Sequence, residues 1–578
     1  MVVTGGELLA QLLERHGVDS IFCSPGSEWA PVWEALARRR TEGNGALSYI
    51  NCRHETLAVS AAMGYAECTG RLPAVLLHSG VGVLHGSMAL RNAYFAKVPM
   101  IVFSGETYEH TGDEEVRPRG GHWLSLLSDV GGPSSLVKGY VKWSNSVRYK
   151  DGLVDMVSRG CRMALTTPPG PVYLSVPPEL LIRSYEECRI PWSAPVDSVH
   201  RPGPASLEQA ARALISAERP VIVSEYAGKK PGAIERLTEL AEMLAIPVFE
   251  GTFPARSNFP KESPLYMGFD SAEALRTADV VLVVAGSAPW YPPLACSDEV
   301  RVILLDDDPL HPNLPHWGYP VDTILKGDIE EGLASLTTKV RSLLSAAPNG
   351  SSYGERLGKS KTRHEELTKL WEAEARDGQK KMPISPAWFL REARRICPGT
   401  AMIVDETITH MRLIHRYMAE PSHYIKSGYG CLGVGVGEAI GVKLAHPDRP
   451  VVLFIGDGAF NYNPVLAGLG LCQEYGVPIL VAVMNNGGYL AMKHAHDLLY
   501  PQGYAARADA YFGAHISPAP DYARLAEAFG AHGEKIERPE EIEPALRRGF
   551  AEMERGKAVI LDVKLHDGPD MGGPGLPL

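Results

Sequence analysis

The sequence predicts an α/β fold of three doubly wound parallel-sheet domains, and three observations lead to it. Short apolar runs recur along the chain, each bounded by Gly, Pro or Asp, and they are apolar nearly throughout instead of alternating. Strands of that kind are buried on both faces, as in a parallel sheet. Helical patterns separate the runs, so strand and helix alternate as in βαβ units. The length, 578 residues, allows three large α/β units at about 150 residues or more each.

Taken in order, the runs of the first unit are PAVLLHSG (73–80), VPMIVFSGE (98–106) and GPVYLSVP (170–177). RPVIVSEY (219–226), ADVVLVVAG (278–286) and VRVILLDDDP (300–309) form the second group. AMIVDET (401–407), PVVLFIGDG (450–458), VPILVAVMNN (477–486) and AVILDVKL (558–565) form the third. Among the helices, GGELLAQLLERHG (5–17) places Leu8, Leu12 and Leu13 on one face. SLEQAARALISAERP (206–220) opens with Ser206 and Gln209 at the spacing of a capping box. Pro-rich sequence near 180–205 and a polar stretch over 345–386, whose charged middle reads as an exposed helix, separate the groups. The expected domains are therefore 1–185, 200–340 and 385–566, and the Gly/Pro tail 567–578 has no core of its own and is expected to be flexible.

Composition excludes several classes. With 45% hydrophobic and 22% charged residues the chain is an ordinary globular one, not disordered, collagenous or coiled-coil. A net charge of -11 lacks the basic footprint of a nucleic-acid binder. No run reaches the ~18 continuous apolar residues of a membrane helix. The start, MVVTGGELLAQLLERHG, lacks the basic and apolar regions of a secretory signal. The nine cysteines are scattered without a CxxC pair, and no HExxH occurs. Reduced thiols in a cytoplasmic protein are the expectation, without a zinc site or a disulfide framework.

The chemistry-bearing signal lies in the third unit. One apolar strand ends in Gly456-Asp457-Gly458; after 26 residues another ends in Asn485-Asn486, followed by Gly487-Gly488. In a parallel sheet both ends lie at the carboxyl edge, where ligands bind. Asp457 offers an anionic oxygen, Asn486 an amide oxygen, and the glycine loop a backbone carbonyl. Mg²⁺ suits such a sparse oxygen set completed by phosphates and water. The glycines let the backbone approach a diphosphate closely.

This pattern resembles the cofactor signature of the thiamine-diphosphate (ThDP) enzymes, and the resemblance extends from about residue 4 to 566. The chain looks like the branch holding acetolactate synthase, benzoylformate decarboxylase and benzaldehyde lyase. That branch has a pyrimidine-binding, a central and a diphosphate-binding domain, in the order of the three units. The resemblance implies Asp457, Asn486 and the Gly488 carbonyl as Mg²⁺ ligands. In SGYGCLGVGVGEAIG (427–441) it gives Leu432 the place of the bulky residue that bends ThDP. In IVDETITHM (403–411) it sets Glu406, Thr407 and Ile408 against the diphosphate, with Gly456, Gly458, Ala459 and Tyr489 completing the cofactor shell. In NCRHETLAVSAAMGYA (51–66), Glu55 by itself reads as an acidic residue complementing a helix N-terminus. Beside the third-unit motif it resembles the family's cofactor-activating glutamate, a carboxylic acid that shares a proton with N1′ of the aminopyrimidine. Because the family's two half-sites come from different subunits, a homodimer at minimum, or a homotetramer, is implied.

Substrate-facing positions are more divergent. FCSPGSEWAP (22–31) is a Pro-Gly turn that resembles the family's substrate loop; Ser27 matches a serine that binds substrate carboxylate in benzoylformate decarboxylase, with Glu28 next. His78-Ser79 in LLHSGVGVLHGSMALRNAYFAKVPMIV (76–102) matches the His-Ser of that enzyme, whose histidine relays protons, where acetolactate synthases carry Gly-Pro-Gly with a nearby glutamine. The second catalytic histidine of benzoylformate decarboxylase would fall near GSAPWYPP (286–293), which has none, and the usual Gly-Gln of acetolactate synthases is Gly105-Glu106. His494 and His496, two residues apart, do not share a helical face, and a metal site there is not expected. The central unit resembles one that binds FAD in some relatives; the prolines at 289, 292 and 293 remove backbone donors, so FAD is not expected.

The expected function is a ThDP- and Mg²⁺-dependent 2-oxo acid decarboxylase or carboligase, acting on a small 2-oxo acid with a proton, aldehyde or ketone as acceptor. The alternatives are a CO₂-independent lyase acting on 2-hydroxy ketones or a cyclic diketone, and a non-catalytic ThDP-binding paralogue. A nicotinamide-binding Rossmann protein is disfavoured by the lack of GxGxxG after a first strand.

Overall fold

The computed structural model describes residues 2–45, 47–106, 125–186, 199–291, 299–312, 314, 318–346 and 351–566. The tail 567–578 lies outside the described residues, as do Pro292 and Pro293. Three parallel sheets follow one another along the chain, so the α/β reading of the sequence holds. The first contains β1 (Ser20–Cys23), β2 (Ser48–Asn51), β3 (Ala74–Leu77), β4 (Met100–Gly105), β5 (Trp143–Ser146) and β6 (Pro171–Val176), in the order β2-β1-β3-β4-β6-β5. The second contains β7 (Pro220–Ser224), β8 (Val248–Glu250), β9 (Val280–Val284), β10 (Arg301–Asp306) and β11 (Thr323–Lys326), in the order β8-β7-β9-β10-β11. The third contains β12 (Met402–Glu406), β13 (Tyr424–Lys426), β14 (Val451–Gly456), β15 (Leu480–Asn485), β16 (His532–Ile536) and β17 (Val559–Lys564), in the order β13-β12-β14-β15-β17-β16.

The first and third sheets thus share one strand order, and in each the order reverses between the first and third strands. The crevice at such a reversal, beyond the strands' carboxyl ends, is where doubly wound sheets bind ligands. The ends of β1 and β3 carry Ser27, Glu28 and His78; those of β12 and β14 carry Thr407 and Asp457. Of the strands that flank these crevices, β1, β3 and β12 are buried along their whole length and β14 up to its last residue, Gly456.

The helix Gly5–Arg15 buries Leu8, Leu12 and Leu13 as its pattern requires. The capping box expected at Ser206 and Gln209 does not form. The helix runs Pro204–Ser216 with Gly203 at its N-cap and no side-chain cap. Pro204 at its first turn, with φ pre-set for helix, starts it two residues before Ser206. In the first domain Glu55–Thr69 forms helix α1 and Gly80–Phe95 helix α2, and the charged linker folds as α3 (Ser351–Asp377). Alongside its exposed positions, α3 buries Ala375 and sets Trp371 edge-on to Tyr266, with ring centres 6.5 Å apart.

The first and third sheets are joined by one apolar core. It includes Leu57, Ala58 and Ala61 of α1 with Val436, Ala439 and Ile440 of α4 (Gly435–Ala445). These helices pack with backbone against backbone. A Cβ at Gly441 would lie 2.0 Å from the Ala61 carbonyl oxygen, and one at Gly64 2.1 Å from that of Glu438. Neither helix can yield to a methyl group there without separating from the other. Gly441→Ala is therefore expected to destabilise the protein by about 1–3 kcal/mol, the usual range for overpacking. Chemical denaturation of the variant against the parent reads this directly.

Candidate active site

The crevice of the third sheet is a cleft of roughly 370 Å³. Its walls include Glu406, Thr407, Ile408, Leu432, Gly456, Asp457, Gly458, Ala459, Asn486, Gly488 and Tyr489, so the structure gathers every cofactor-shell position that the sequence proposed in this unit. Asp457 leaves β14 and starts the short helix α5 (Asp457–Tyr462). Its Oδ1 accepts the Gly458 N–H at 2.9 Å and its Oδ2 the Gly487 N–H at 2.9 Å, which fixes the carboxylate across both glycine loops. Burial raises its pKa to about 6, opposed by these backbone bonds. Asn486 Oδ1 accepts the Gly488 N–H at 3.2 Å. The Tyr489 N–H donates to Ala514 O at 2.7 Å, holding the second loop down. A Cβ at Gly458 would meet the Tyr489 ring at 2.6 Å, so only glycine lets that ring close over the first loop.

The donor set fits a hard divalent cation carrying a diphosphate. It consists of a carboxylate, an amide oxygen and a backbone carbonyl, with no thiolate among them, and its glycine surroundings leave room for phosphate oxygens.

Glu406, at the end of β12, has a different use. Its carboxylate accepts the N–H groups of Gly433 (2.7 Å), Val434 (2.9 Å) and Gly435 (3.1 Å), and the Asn463 amide at 2.7 Å. Burial pushes its pKa up against these four donors. The side chain thus pins the loop that carries Leu432 and opens α4. Leu432 itself is half-buried and packs against the core shared by α1 and α4. Thr407 turns back, its N–H and hydroxyl both donating to Asp405 Oδ1 at 2.8 and 2.7 Å.

The crevice of the first sheet holds the other candidates. Trp29 Nε1 donates to Leu77 O at 2.9 Å and fastens the single turn Ser27–Trp29 to the end of β3. This brings Glu28, only 1% exposed, against His78, whose Nδ1 lies 2.9 Å from both Glu28 oxygens. Glu28 Oε1 also accepts the Ser79 N–H at 2.8 Å. The hydrogen bond with Glu28 raises the His78 pKa, against the opposing effect of burial. Ser27, exposed, stands at the start of the same turn. Glu55 is the first residue of α1; His54 caps that helix through Nδ1, which accepts the Thr56 N–H at 3.2 Å. Glu55 Oε2 lies 3.2 Å from His85 Nδ1 on α2.

Within one chain the third-sheet cleft is lined from the third unit alone. Every residue lining the third-sheet cleft lies between 406 and 513, and Glu55, Ser27 and His78 are not among them. Each half-site is bordered by exposed apolar side chains. Val81, Leu84 and Met88 on α2 are 53%, 54% and 45% exposed, and Met492, Leu498 and Leu499 on α6 (Leu490–Leu499) 54%, 64% and 71%.

Two residues near the sites were not singled out from sequence. Glu28 was noted only as the neighbour of Ser27; its pairing with His78 depends on β1 lying beside β3. His410 lines the third-sheet cleft, adding an imidazole to the loop from which the sequence singled out only Glu406, Thr407 and Ile408. Burial, reinforced by His566 and His494, pushes its pKa down to about 4. His494 and His496 both lie on α6, the latter 5.3 Å from the Tyr500 ring and 5.5 Å from that of Tyr511. Among the described residues, the group of side chains able to converge on a metal is instead His54, Glu55 and His85. In the central sheet the Ser287 and Ala288 N–H groups beyond β9 donate to buried Glu225 at 2.6 and 3.0 Å.

A pair of doubly wound sheets with one order, each opening a crevice at its reversal, and an Asp–Asn oxygen set in the second define a cofactor-dependent enzyme of the ThDP class. Residues 3–121, 207–336 and 407–563 match, respectively, the N-terminal TPP binding domain, the central domain and the C-terminal TPP binding domain of the thiamine pyrophosphate enzymes. The chain belongs to that family. It is 25% identical over 592 residues to the acetolactate synthase large subunit of Haemophilus influenzae, across 98% of this chain and 95% of that one. It is 27% identical over 555 residues to an acetolactate synthase large subunit of Mycobacterium tuberculosis, across 94% and 93%. Its fold is shared with the benzoylformate decarboxylase of Polynucleobacter necessarius, with a TM-score of 0.78 at 20% identity over 98% and 99% of the two chains. It is likewise shared with the 4-hydroxybenzoylformate decarboxylase of Rhodococcus jostii RHA1, with a TM-score of 0.75 at 22% identity over 98% and 99%. No helix among the described residues is long and apolar enough to cross a membrane.

Proposed function

We propose that this chain is a ThDP- and Mg²⁺-dependent enzyme that decarboxylates a 2-oxo acid and passes the acyl unit to a proton or to a second carbonyl compound. The observation that carries the proposal is the cleft in which Asp457, Asn486 and Gly488 converge, together with a separate acidic half-site at Glu55. When bound, the cofactor supplies the nucleophilic carbon and the electron sink that the bond beside a ketone needs. Asp457 Oδ, Asn486 Oδ1 and the Gly488 carbonyl would hold Mg²⁺ and, through it, the diphosphate. Leu432, on a loop fixed by Glu406, would pack against the cofactor. The Glu55 carboxyl would hold a proton at the aminopyrimidine. His78 has its Nδ1 committed to Glu28, which leaves Nε2 to exchange a proton with substrate. Ser27, on the same turn, would offer its hydroxyl to the substrate carboxylate.

The two half-sites complete one another only if a second copy brings its Glu55 to the first copy's cleft. The functional unit is therefore a homodimer or a dimer of dimers, and the exposed apolar borders of both half-sites are the surfaces it would cover.

CO₂ release from the purified protein, with ThDP and Mg²⁺ present or omitted, tests the proposal. The substrates are pyruvate, longer aliphatic 2-oxo acids and benzoylformate. ThDP-dependent release from at least one of them is expected. Silence across the set with ThDP demonstrably bound would instead favour a lyase that works without CO₂. The Glu28–His78 pair adds a pH test. Because Glu28 raises the His78 pKa, the alkaline limb of kcat/KM is expected to move to lower pH in Glu28→Gln, as the imidazolium is lost sooner. A profile identical to the parent's would remove His78 from the proton path.

A further inference from the structure

We infer that His85 is a positioning residue for Glu55: its Nδ1–H holds Oε2 of the carboxylate and so fixes which oxygen faces the cofactor. The inference rests on the functional reading of Glu55 above.

The geometry clamps His85 to the first turn of α1 by three contacts. Its Nδ1 lies 3.2 Å from Glu55 Oε2. Its backbone carbonyl accepts the Thr56 hydroxyl at 2.7 Å. Its ring stacks on that of His54, with centres 5.2 Å apart and planes 13° from parallel. His54 is itself immobilised as the N-cap of α1. The imidazole therefore has one defined orientation although its side chain is 68% exposed. In the neutral ring, an Nδ1 that donates to a carboxylate leaves Nε2 without a proton.

One turn before His85 on α2 stands Gly82, where a Cβ would lie 3.4 Å from Glu55 Oε1 and Cγ. One carboxylate oxygen is thus tied to His85 and the other lies over a glycine of the same helix. A glutamate at a helix start has free side-chain torsions, and a donor on one oxygen removes that freedom before substrate arrives.

The same three side chains place possible metal ligands within 4.8 Å of one another. The His54 Nδ1 lone pair is already engaged by the Thr56 N–H, however, and an ion would have to displace the helix cap. The hydrogen-bonded reading needs no such change.

The test compares His85→Ala, His85→Asn and Glu55→Gln in the holoenzyme. His85→Ala is expected to lower kcat by about 10- to 100-fold, the scale of a small misplacement of a catalytic group. KM and the thermal unfolding midpoint should stay at the parent's values. Asn carries an N–H at nearly the position of Nδ1–H, so His85→Asn should recover most of kcat. The near-ultraviolet circular dichroism of bound ThDP should change in His85→Ala and return in His85→Asn. If Glu55→Gln loses turnover while His85→Ala keeps it, the positioning role is wrong and the functional reading stands. Equal losses in both His85 variants, with unchanged circular dichroism, also overturn the role. Full turnover in Glu55→Gln would fail the functional reading itself.

Discussion

Glu55→Gln is expected to cut turnover by about 10²- to 10⁴-fold, the range lost when a positioned acid or base is removed. Gln preserves the shape of the side chain and still offers an oxygen to His85 Nδ1, so the contacts of α1 with α2 survive. What it cannot do is share a proton with the aminopyrimidine. The cost to folding is small. A carboxylate in the first turn of a helix contributes about 0.3–1 kcal/mol through the helix dipole, and the Glu55 side chain is 17% exposed. ThDP-dependent CO₂ release and a thermal melt on the same preparation separate the two effects. Near-parental turnover would refute the assignment.

Asp457→Asn should act one step earlier, on cofactor retention. Asp457 is the carboxylate of the oxygen set; the neighbouring Glu406 carboxylate is consumed by four donors from the Leu432 loop and Asn463. With the anionic oxygen gone, Mg²⁺-dependent ThDP affinity is expected to fall by at least ~100-fold, beyond what loss of an outer-shell group costs. The amide also turns an N–H₂ toward one of the two backbone donors that Asp457 accepts, so a loss of about 1–3 kcal/mol in stability accompanies it. ThDP titrations at several Mg²⁺ concentrations, read by protein fluorescence, check the first effect. Equal affinity with and without the carboxylate would remove Asp457 from the metal site. Chelating Mg²⁺ from the parent should release ThDP and leave the three sheets folded, since the cores of all three, among the described residues, are apolar side-chain clusters.

Long, fully buried strands were legible from sequence because burial on both faces leaves an uninterrupted apolar run. β14 and β15 were read as strands with the ligand-bearing residues at their ends for that reason. The strands not read are short or lie at sheet edges. Trp143–Ser146 and His532–Ile536 are four and five residues long with largely polar or half-exposed side chains, and Tyr424–Lys426, although Tyr424 and Ile425 are buried, is only three residues long. The third-sheet site was legible because its residues sit on consecutive strands of one unit. The Glu28–His78 pair was not, because it joins positions 50 residues apart that become neighbours only when β1 pairs with β3. His85 was missed for a related reason. Only the crossing of α2 over the first turn of α1 gives an unremarkable His-Gly-Ser stretch a partner.

The glycine contact between α1 and α4 makes a lever of the two helices. Its arms end at Glu55 and at the Leu432 loop, and at Gly64 and Gly441 backbone meets backbone with no side chain between them to absorb a displacement. Close-packed interiors transmit such displacements. In the proposed dimer those arms belong to different reaction centres, because a chain's Leu432 serves its own cleft while its Glu55 serves its partner's. In that dimer, Gly64 and Gly441 are thus a rigid joint between two reaction centres.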